Sequence, residues 1–307
     1  LTKVLAIVGP TAVGKTELSL KMAKELNGEI ISGDSMQVYK HLDIGTAKIL
    51  PKEMQGITHH LINIREINER FSVSDFQSLA NKTIDDIVAR GKQPIVVGGT
   101  GFYVQSLVEN LALGNDQFDS ESEAIRAKWH AFADLNGKQQ LWDHLNDLDH
   151  KAAVGIPVNN DRRVIRALEV IEKTGHLFSD QIQKHSTNEF KLIGLNTDRK
   201  LLYNRINQRV NQMLDEGLQQ EARWLYDQNG VNFQSGKGIG YRELFDYFDQ
   251  KCDFQTAVEK IKQDSRHYAK RQLTWFRNKM DVTWFNLVEH TNSVTEINQI
   301  ATEWLRK

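Results

Sequence analysis

Gly9-Pro10-Thr11-Ala12-Val13-Gly14-Lys15-Thr16 fills every required position of the pattern G-x-x-x-x-G-K-[ST]. Glycines at those two places let the backbone wrap closely, so that its N–H groups converge on phosphate oxygens at a helix N-terminus. Lys15 supplies a point charge to a terminal phosphate, and the Thr16 hydroxyl is placed to hold Mg²⁺. A diphosphate or a triphosphate would satisfy the same donors. Two further features stand at strand exits. In Ser32-Gly33-Asp34-Ser35-Met36-Gln37-Val38-Tyr39, Asp34 follows a short apolar run. In a doubly wound sheet that position borders the ligand crevice. Asp34 is therefore a candidate general base or Mg²⁺ ligand, with a turn or helix cap as the plainer alternative. In Gly98-Gly99-Thr100-Gly101 the glycines permit close backbone approach, and Thr100 offers a hydroxyl to a leaving oxygen. No carboxylate ends that strand, which counts against an ordinary nucleotide hydrolase.

The basic residues form a second set. Near the C-terminus, at about 100° per residue, Lys262, Arg266, Lys270 and Arg277 fall in one stripe. Val258, Ile261, Tyr268, Trp275 and Phe276 fall opposite. The stripe itself holds no acid, so a face of fixed cations is expected. Arg162, Arg163 and Arg166 make another basic cluster, and two such patches on a neutral chain suggest a polyanion. Arg205 and Arg209, four residues apart, share a helix face and could clamp a diphosphate or simply face solvent. His59-His60 lacks metal-ligand spacing, and Cys252 has no partner.

The elements that must position these groups follow from hydrophobic patterning. Lys3 to Val8 and Gln93 to Gly98 are apolar runs of the kind buried on both faces of a parallel sheet. Shorter strands are expected at 29–32, 60–64, 190–195 and 281–285. Helical spacing covers 16–26, 74–90, a stretch from about 101, and long segments near 199–227, 254–279 and 293–306. The alternation predicts an α/β fold, a P-loop NTPase-like parallel sheet flanked by helices. It breaks between 113 and 189, where Ile125, Trp129, Phe132, Leu141, Leu145, Leu148, Val164, Leu168 and Ile171 recur at helical spacing. A helical insertion at 113–189 within a core of 1–112 and 190–307 is the expected organisation. The 307 residues carry 39 basic and 40 acidic side chains, a net charge of −1, which excludes a globally basic nucleic-acid binder but not a local basic face. One cysteine, no apolar run long enough for a membrane span and no leader pattern point to the cytoplasm.

Taken in order, Gly9 to Thr16, Asp34 to Tyr39, Asp43-Ile44-Gly45-Thr46-Ala47-Lys48, Gly98 to Thr100, Ile239 to Glu243 and Arg271-Gln272-Leu273-Thr274-Trp275-Phe276-Arg277 resemble the bacterial tRNA dimethylallyltransferase (tRNA isopentenyltransferase) family over nearly the whole chain. The resemblance implies transfer of a dimethylallyl group from dimethylallyl diphosphate to N6 of adenosine 37 in tRNA, with Mg²⁺ and release of diphosphate. It implies that Gly9, Pro10, Thr11, Ala12, Val13, Gly14, Lys15 and Thr16, with Arg209, hold the diphosphate. Asp34 is then the base, and Thr100 contacts the bridging oxygen. Ser35, Met36 and Gln37, with Asp34 and Thr100, grip the adenosine. Arg126, Arg162, Arg163 and Arg166 meet the anticodon stem-loop, while Lys270 and Arg277 track the RNA backbone. A monomer is expected. The competing readings are a small-molecule P-loop kinase, which leaves the basic faces unused, and an ATP-regulated RNA-binding module, which leaves Asp34 and Thr100 unused.

Overall fold

A computed structural model describes residues 1–113, 119–180 and 188–307. Six strands, β1 (Thr2–Val8), β2 (Gly28–Ser32), β3 (His59–His60), β4 (Gln93–Gly98), β5 (Asn188–Leu195) and β6 (Thr283–Phe285), form one parallel sheet in the order β3-β2-β4-β1-β5-β6. Among the described residues the helices are α1 (Lys15–Glu25), α2 (Val73–Ala89), α3 (Gly101–Val108), α4 (Ser120–Leu148), α5 (His150–Val154), α6 (Asp161–Thr174), α7 (Arg199–Asp215), α8 (Leu218–Asp227), α9 (Tyr241–Phe248), α10 (Phe254–Lys279) and α11 (Val294–Arg306).

The apolar run of β1 serves two cores. Val4, Ala6 and Val8 point to one face, where they meet Phe76 and Ile84 of α2, Val104 of α3, and Ile261 and Phe276 of α10. Leu5 and Ile7 point to the other, against Leu18 and Met22 of α1, Ile206 of α7 and Ile297 of α11. Successive strand residues face opposite ways, so a strand covered on both sides must be apolar throughout. Each such side chain contributes about 1.5–3 kcal/mol by leaving water. The centre of the sheet, where the site's strands end, is therefore its most rigid part.

The expected strand over 60–64 is not formed. Only His59 and His60 pair with β2. Leu61 and Asn63 take positive φ (61° and 56°), which ends the extended run at once. Ser72 caps α2: its Oγ accepts from the Asp75 N–H at 3.1 Å while the Asp75 carboxylate accepts from the Ser72 N–H at 2.8 Å.

The chain divides into two compact units, Leu1–Asn110 with His185–Lys307, and Leu111–Lys184. The second is helical and has its own core of Ile125, Trp129, Leu141, Leu145, Val164 and Leu168. Gly137 breaks α4 with φ 86° and ψ 162°. Within this unit Glu169 is almost fully buried, and it receives Arg126 Nε at 2.7 Å and Arg166 Nη1 at 2.8 Å.

A second buried carboxylate pins the sheet edge. Glu29, only 3% exposed, accepts from Arg90 Nη2 at 2.7 Å and Lys92 Nζ at 2.9 Å, with His60 Nε2 at 2.6 Å. Burial opposes ionisation of Glu29, but these partners outweigh it and lower its pKa from 4.5 to about 2. A carboxylate depressed by folding stabilises fully above its unfolded pKa and loses that contribution as pH falls from 4.5 towards 2. Thermal unfolding of Glu29→Gln should therefore show a lower midpoint than the parent at pH 7. The difference should narrow steadily between pH 5 and about pH 2.5. Parallel curves across that range would mean that the cluster does not hold the edge.

Candidate active site

The carboxyl ends of β1, β2 and β4 lie side by side at the middle of the sheet and deliver the three sequence features to one place. The approach is close because glycines allow it. A Cβ on Gly98 would overlap the Gly33 carbonyl, and the Gly33 N–H donates to Val97 O at 2.8 Å. Gly9, at φ 138°, fits against the Leu195 carbonyl where no side chain has room.

The phosphate loop turns from β1 into α1. Ala12 and Gly14 both take positive φ (64° and 100°), a backbone pattern that gathers N–H groups into an anion-binding concavity. No side chain caps α1, so its first-turn N–H groups point outward with the positive end of the helix dipole. Lys15 Nζ donates to the loop carbonyls of Gly9 at 3.0 Å and Pro10 at 2.6 Å. From α7, Arg209 Nη1 reaches Thr11 Oγ1 at 3.4 Å and Arg205 Nε donates to Ala12 O at 2.8 Å. Both arginines thus touch the loop, Arg209 from the interior and Arg205 from the exposed side. Thr16 is exposed on the first turn of α1, with its hydroxyl open to solvent.

Three charges converge here. Burial and the nearby Arg209 guanidinium lower the Lys15 pKa from 10.5 to about 7, and the Asp34 carboxylate only partly restores it. Burial likewise depresses Arg209, against the favourable pull of Asp34. Asp34 is itself raised above the usual carboxylate range by burial, although it accepts from the Met36 N–H at 2.8 Å and is attracted by Lys15 and Arg209. Two cations share the pocket with one carboxylate whose basicity is enhanced. A multiply charged anion would balance the cations, and the carboxylate is disposed to take a proton.

Thr100 joins the two halves of the site. Its Oγ1 accepts from the Ser35 N–H at 3.2 Å and lies near the Tyr268 hydroxyl. The side-chain amide of Gln37 is committed within the chain: Oε1 accepts from Ser32 Oγ at 2.9 Å and Nε2 donates to Thr46 O at 3.3 Å. Ser35 and Met36 lie beside it, partly exposed.

The segment 43–48 is held from two directions. The Glu221 carboxylate of α8 accepts from the N–H groups of Asp43 (2.7 Å), Ile44 (2.9 Å) and Gly45 (2.9 Å), and from the Tyr241 hydroxyl at 2.7 Å. Lys48 is buried and donates to Tyr39 O, Asp43 Oδ1 and Asn63 Oδ1, each at 2.7 Å. Gln37 therefore rests on a loop clamped by a helix far along the chain. Glu221, Tyr268 and Gln272 had no role in the site as read from sequence. Gln272 alone gave a signal, since a polar residue next to the apolar side of an amphipathic helix must find a buried partner.

With this geometry in place, comparison with known proteins is decisive. The family model for IPP transferase matches residues 37–279. The chain belongs to the IPP transferase family. A tRNA dimethylallyltransferase of Limosilactobacillus fermentum is 61% identical to it over the full length of both chains, and one of Limosilactobacillus reuteri is 57% identical over the same span. The crystal structure of a tRNA isopentenylpyrophosphate transferase from Bacillus halodurans is 48% identical with a TM-score of 0.75, covering 100% of this chain and 97% of that one. A eukaryotic dimethylallyltransferase acting on tRNA is 28% identical with a TM-score of 0.84, covering 100% of this chain and 80% of the other. This family member is a transferase, and among its described residues no helix is long and apolar enough to cross a membrane.

The basic faces differ from expectation in detail. The stripe on α10 is not free of acid, because Lys262 pairs with Glu259 at 2.9 Å. Glu259 lies one turn back, and lysine's long side chain reaches across to it. Arg266 donates to Asn207 Oδ1 at 2.7 Å and so belongs to helix packing. Lys270 is exposed, and Arg277, also exposed, lies over the Trp284 ring. In the insertion Arg126 and Arg166 hold Glu169, whereas Arg162 and Arg163 are exposed and form no ion pair among the described residues.

The perturbed lysine gives a direct check. Followed by NMR at Nζ, with Lys15→Arg to assign the signal, Lys15 should titrate near pH 7 in the free protein. It should titrate at clearly higher pH when inorganic diphosphate is added, because a bound anion favours the ammonium. A lysine titrating near 10.5 in the free protein would show that it is not held in the pocket.

Proposed function

We propose that this chain transfers the dimethylallyl group of dimethylallyl diphosphate to N6 of adenosine 37 in tRNA, releasing diphosphate. The observation that carries the reading is Asp34, a carboxylate of raised basicity, set beside Lys15 and Arg209 with the Thr100 hydroxyl between the two strand exits. The names of its relatives support the same substrate pair.

An exocyclic amine is a weak nucleophile because its lone pair is delocalised into the ring. An allylic diphosphate, by contrast, ionises readily once charge on the departing group is stabilised. Lys15, Arg209 and the loop N–H groups are fixed before the reaction, so they stabilise that charge without reorganising. The N6 lone pair forms the new bond to the allylic carbon as the carbon–oxygen bond breaks, and that electron pair leaves on diphosphate. Asp34 takes the N6 proton, and Thr100 donates towards the bridging oxygen. The adenosine must leave its stack to reach the pocket, at a cost of a few kcal/mol.

Mg²⁺ suits this donor set. Among the described residues no group of three or more His, Cys, Asp or Glu could cage a metal. A Mg²⁺ ion commonly takes one or two protein ligands and completes its shell with phosphate oxygens and water. The exposed Thr16 hydroxyl would hold it beside the loop, where it would supply further charge neutralisation for the leaving group. Exposed Arg162, Arg163, Lys270 and Arg277 supply cations for an RNA backbone. ATP would fit the same loop, but a kinase reading leaves these cations without a task.

Labelled dimethylallyl diphosphate incubated with an anticodon stem-loop carrying A36-A37-A38 should deliver label to the RNA. Phosphorylation of a small metabolite without labelled RNA would instead establish the kinase. Asp34→Asn, which keeps the side chain's shape, should lower kcat by about a hundredfold or more and leave RNA affinity within about threefold. The parent rate should fall as pH drops through the raised Asp34 pKa, because the base must be ionised. Equal loss of RNA binding in the variant would mark Asp34 as structural. Replacing Arg162 and Arg163 together by alanine should weaken RNA binding and reduce the slope of log K against log salt by about one to two units. An unchanged slope would remove the insertion from the interface.

A further inference from the structure

We propose that Gln272 is a positioning residue for the diphosphate pocket, setting the distance between the phosphate loop and the Thr100 exit. The inference rests on the reading above and deepens it. Gln272 is 5% exposed, in the last third of α10, and its amide makes two opposed bonds. Oε1 accepts from the Thr11 N–H at 3.0 Å, and Nε2 donates to the Gly99 carbonyl at 3.0 Å. One rigid planar group thus spans the exits of β1 and β4.

Each bond has a local reason. Pro10 has no N–H, so Thr11 carries the first amide after Gly9, and Gln272 fixes the turn at its start. On the other side, a Cβ at Gly99 would collide with the Gln272 amide nitrogen, so only glycine lets the helix come this near. Neighbouring positions on the same helix face press in the same direction. Tyr268, one turn earlier, sets its hydroxyl near both Thr100 and Gln272. The Trp275 ring, three residues later, packs where a Gly101 side chain would stand. Tyr268, Gln272 and Trp275 therefore form one strip that enters the cleft. Lys270, Arg271 and Arg277 are exposed on the same length of helix.

The consequence concerns geometry at the reacting atoms. Thr11 also receives Arg209, so a shift of this turn moves the arginine and the loop together relative to Thr100. A misplacement of about 1 Å can cost about a hundredfold in rate without removing any reacting group. Gln272 touches neither substrate in this scheme and acts through the loop it holds.

Two variants test it. Gln272→Met keeps length and removes both bonds. Gln272→Glu keeps the acceptor for Thr11 and turns an oxygen towards the Gly99 carbonyl. Both should raise KM for dimethylallyl diphosphate by about tenfold or more and lower kcat by about ten- to a hundredfold. Stem-loop affinity should stay near the parent's, and the thermal midpoint measured without ligands should fall by only a few degrees, because each variant leaves the Gly99 carbonyl without its donor. Binding of inorganic diphosphate, read by calorimetry, should weaken in step with KM. A residue that merely packs α10 would lower the midpoint and leave KM for dimethylallyl diphosphate at the parent's value. Folded variants with parental KM and kcat would overturn the proposal, and if Met does not fold, the Glu variant decides alone. If the parent neither binds diphosphate nor labels RNA, the failure lies with the reading of the site and not with Gln272.

Discussion

Holding two cations close together in a half-buried pocket is the demand around which the rest of this molecule is arranged. Lys15 and Arg209 repel each other, and burial penalises both. Left to itself the chain would relax by swinging one of them into solvent. It does not, because both ends of the arrangement are anchored in the stiffest part of the fold. Lys15 begins a helix that packs on the central strands, and Arg209 projects from a helix whose Ile206 and Val210 are buried against the sheet. Asp34 offsets part of the cost from the end of β2. Energy invested in folding is thereby stored as a site already shaped for a polyanion, which is the condition under which electrostatic stabilisation is largest.

In the proposed reaction the same carboxylate serves two purposes because of where it stands. Burial raises its proton affinity, while the cations and backbone N–H groups restrain the rise. A carboxylate in open water would be a poorer base, and one buried alone would be protonated permanently. The balance between burial and neighbours makes Asp34 useful, and it exists only because three strand exits meet at glycines.

Much of this was legible in the chain. The fold class, the phosphate loop, the exits at Asp34 and Thr100, and most elements followed from apolar runs, helical spacing and motif. Those features are local, since a strand buried on both faces and a glycine-rich turn each announce themselves within ten residues or so. The failures are equally physical. The strand over 60–64 was cut short by positive φ at Leu61 and Asn63, which hydrophobicity does not encode. Arg126 and Arg166, read as meeting the stem-loop, are also both bonded to a glutamate on α6, a pairing that local spacing did not announce. The acid beside Lys262 sits on the same face, one turn before the first residue of the stripe. Glu221 and Gln272 act across 176 and 261 residues of sequence respectively, and no pattern in one chain reveals such pairings.

The clamp on residues 43–48 has a consequence for how the protein comes into being. The three N–H groups that Glu221 receives belong to a loop made early in synthesis, while the carboxylate itself arrives only when α8 has been made. Until then the loop lacks its anchor, and Gln37, which leans on that loop, lacks its support. The phosphate loop and β1 to β4 lie in the N-terminal half, yet the surface beside Asp34 is completed from the C-terminal half. The complete arrangement around Gln37 is thus a property of the finished chain.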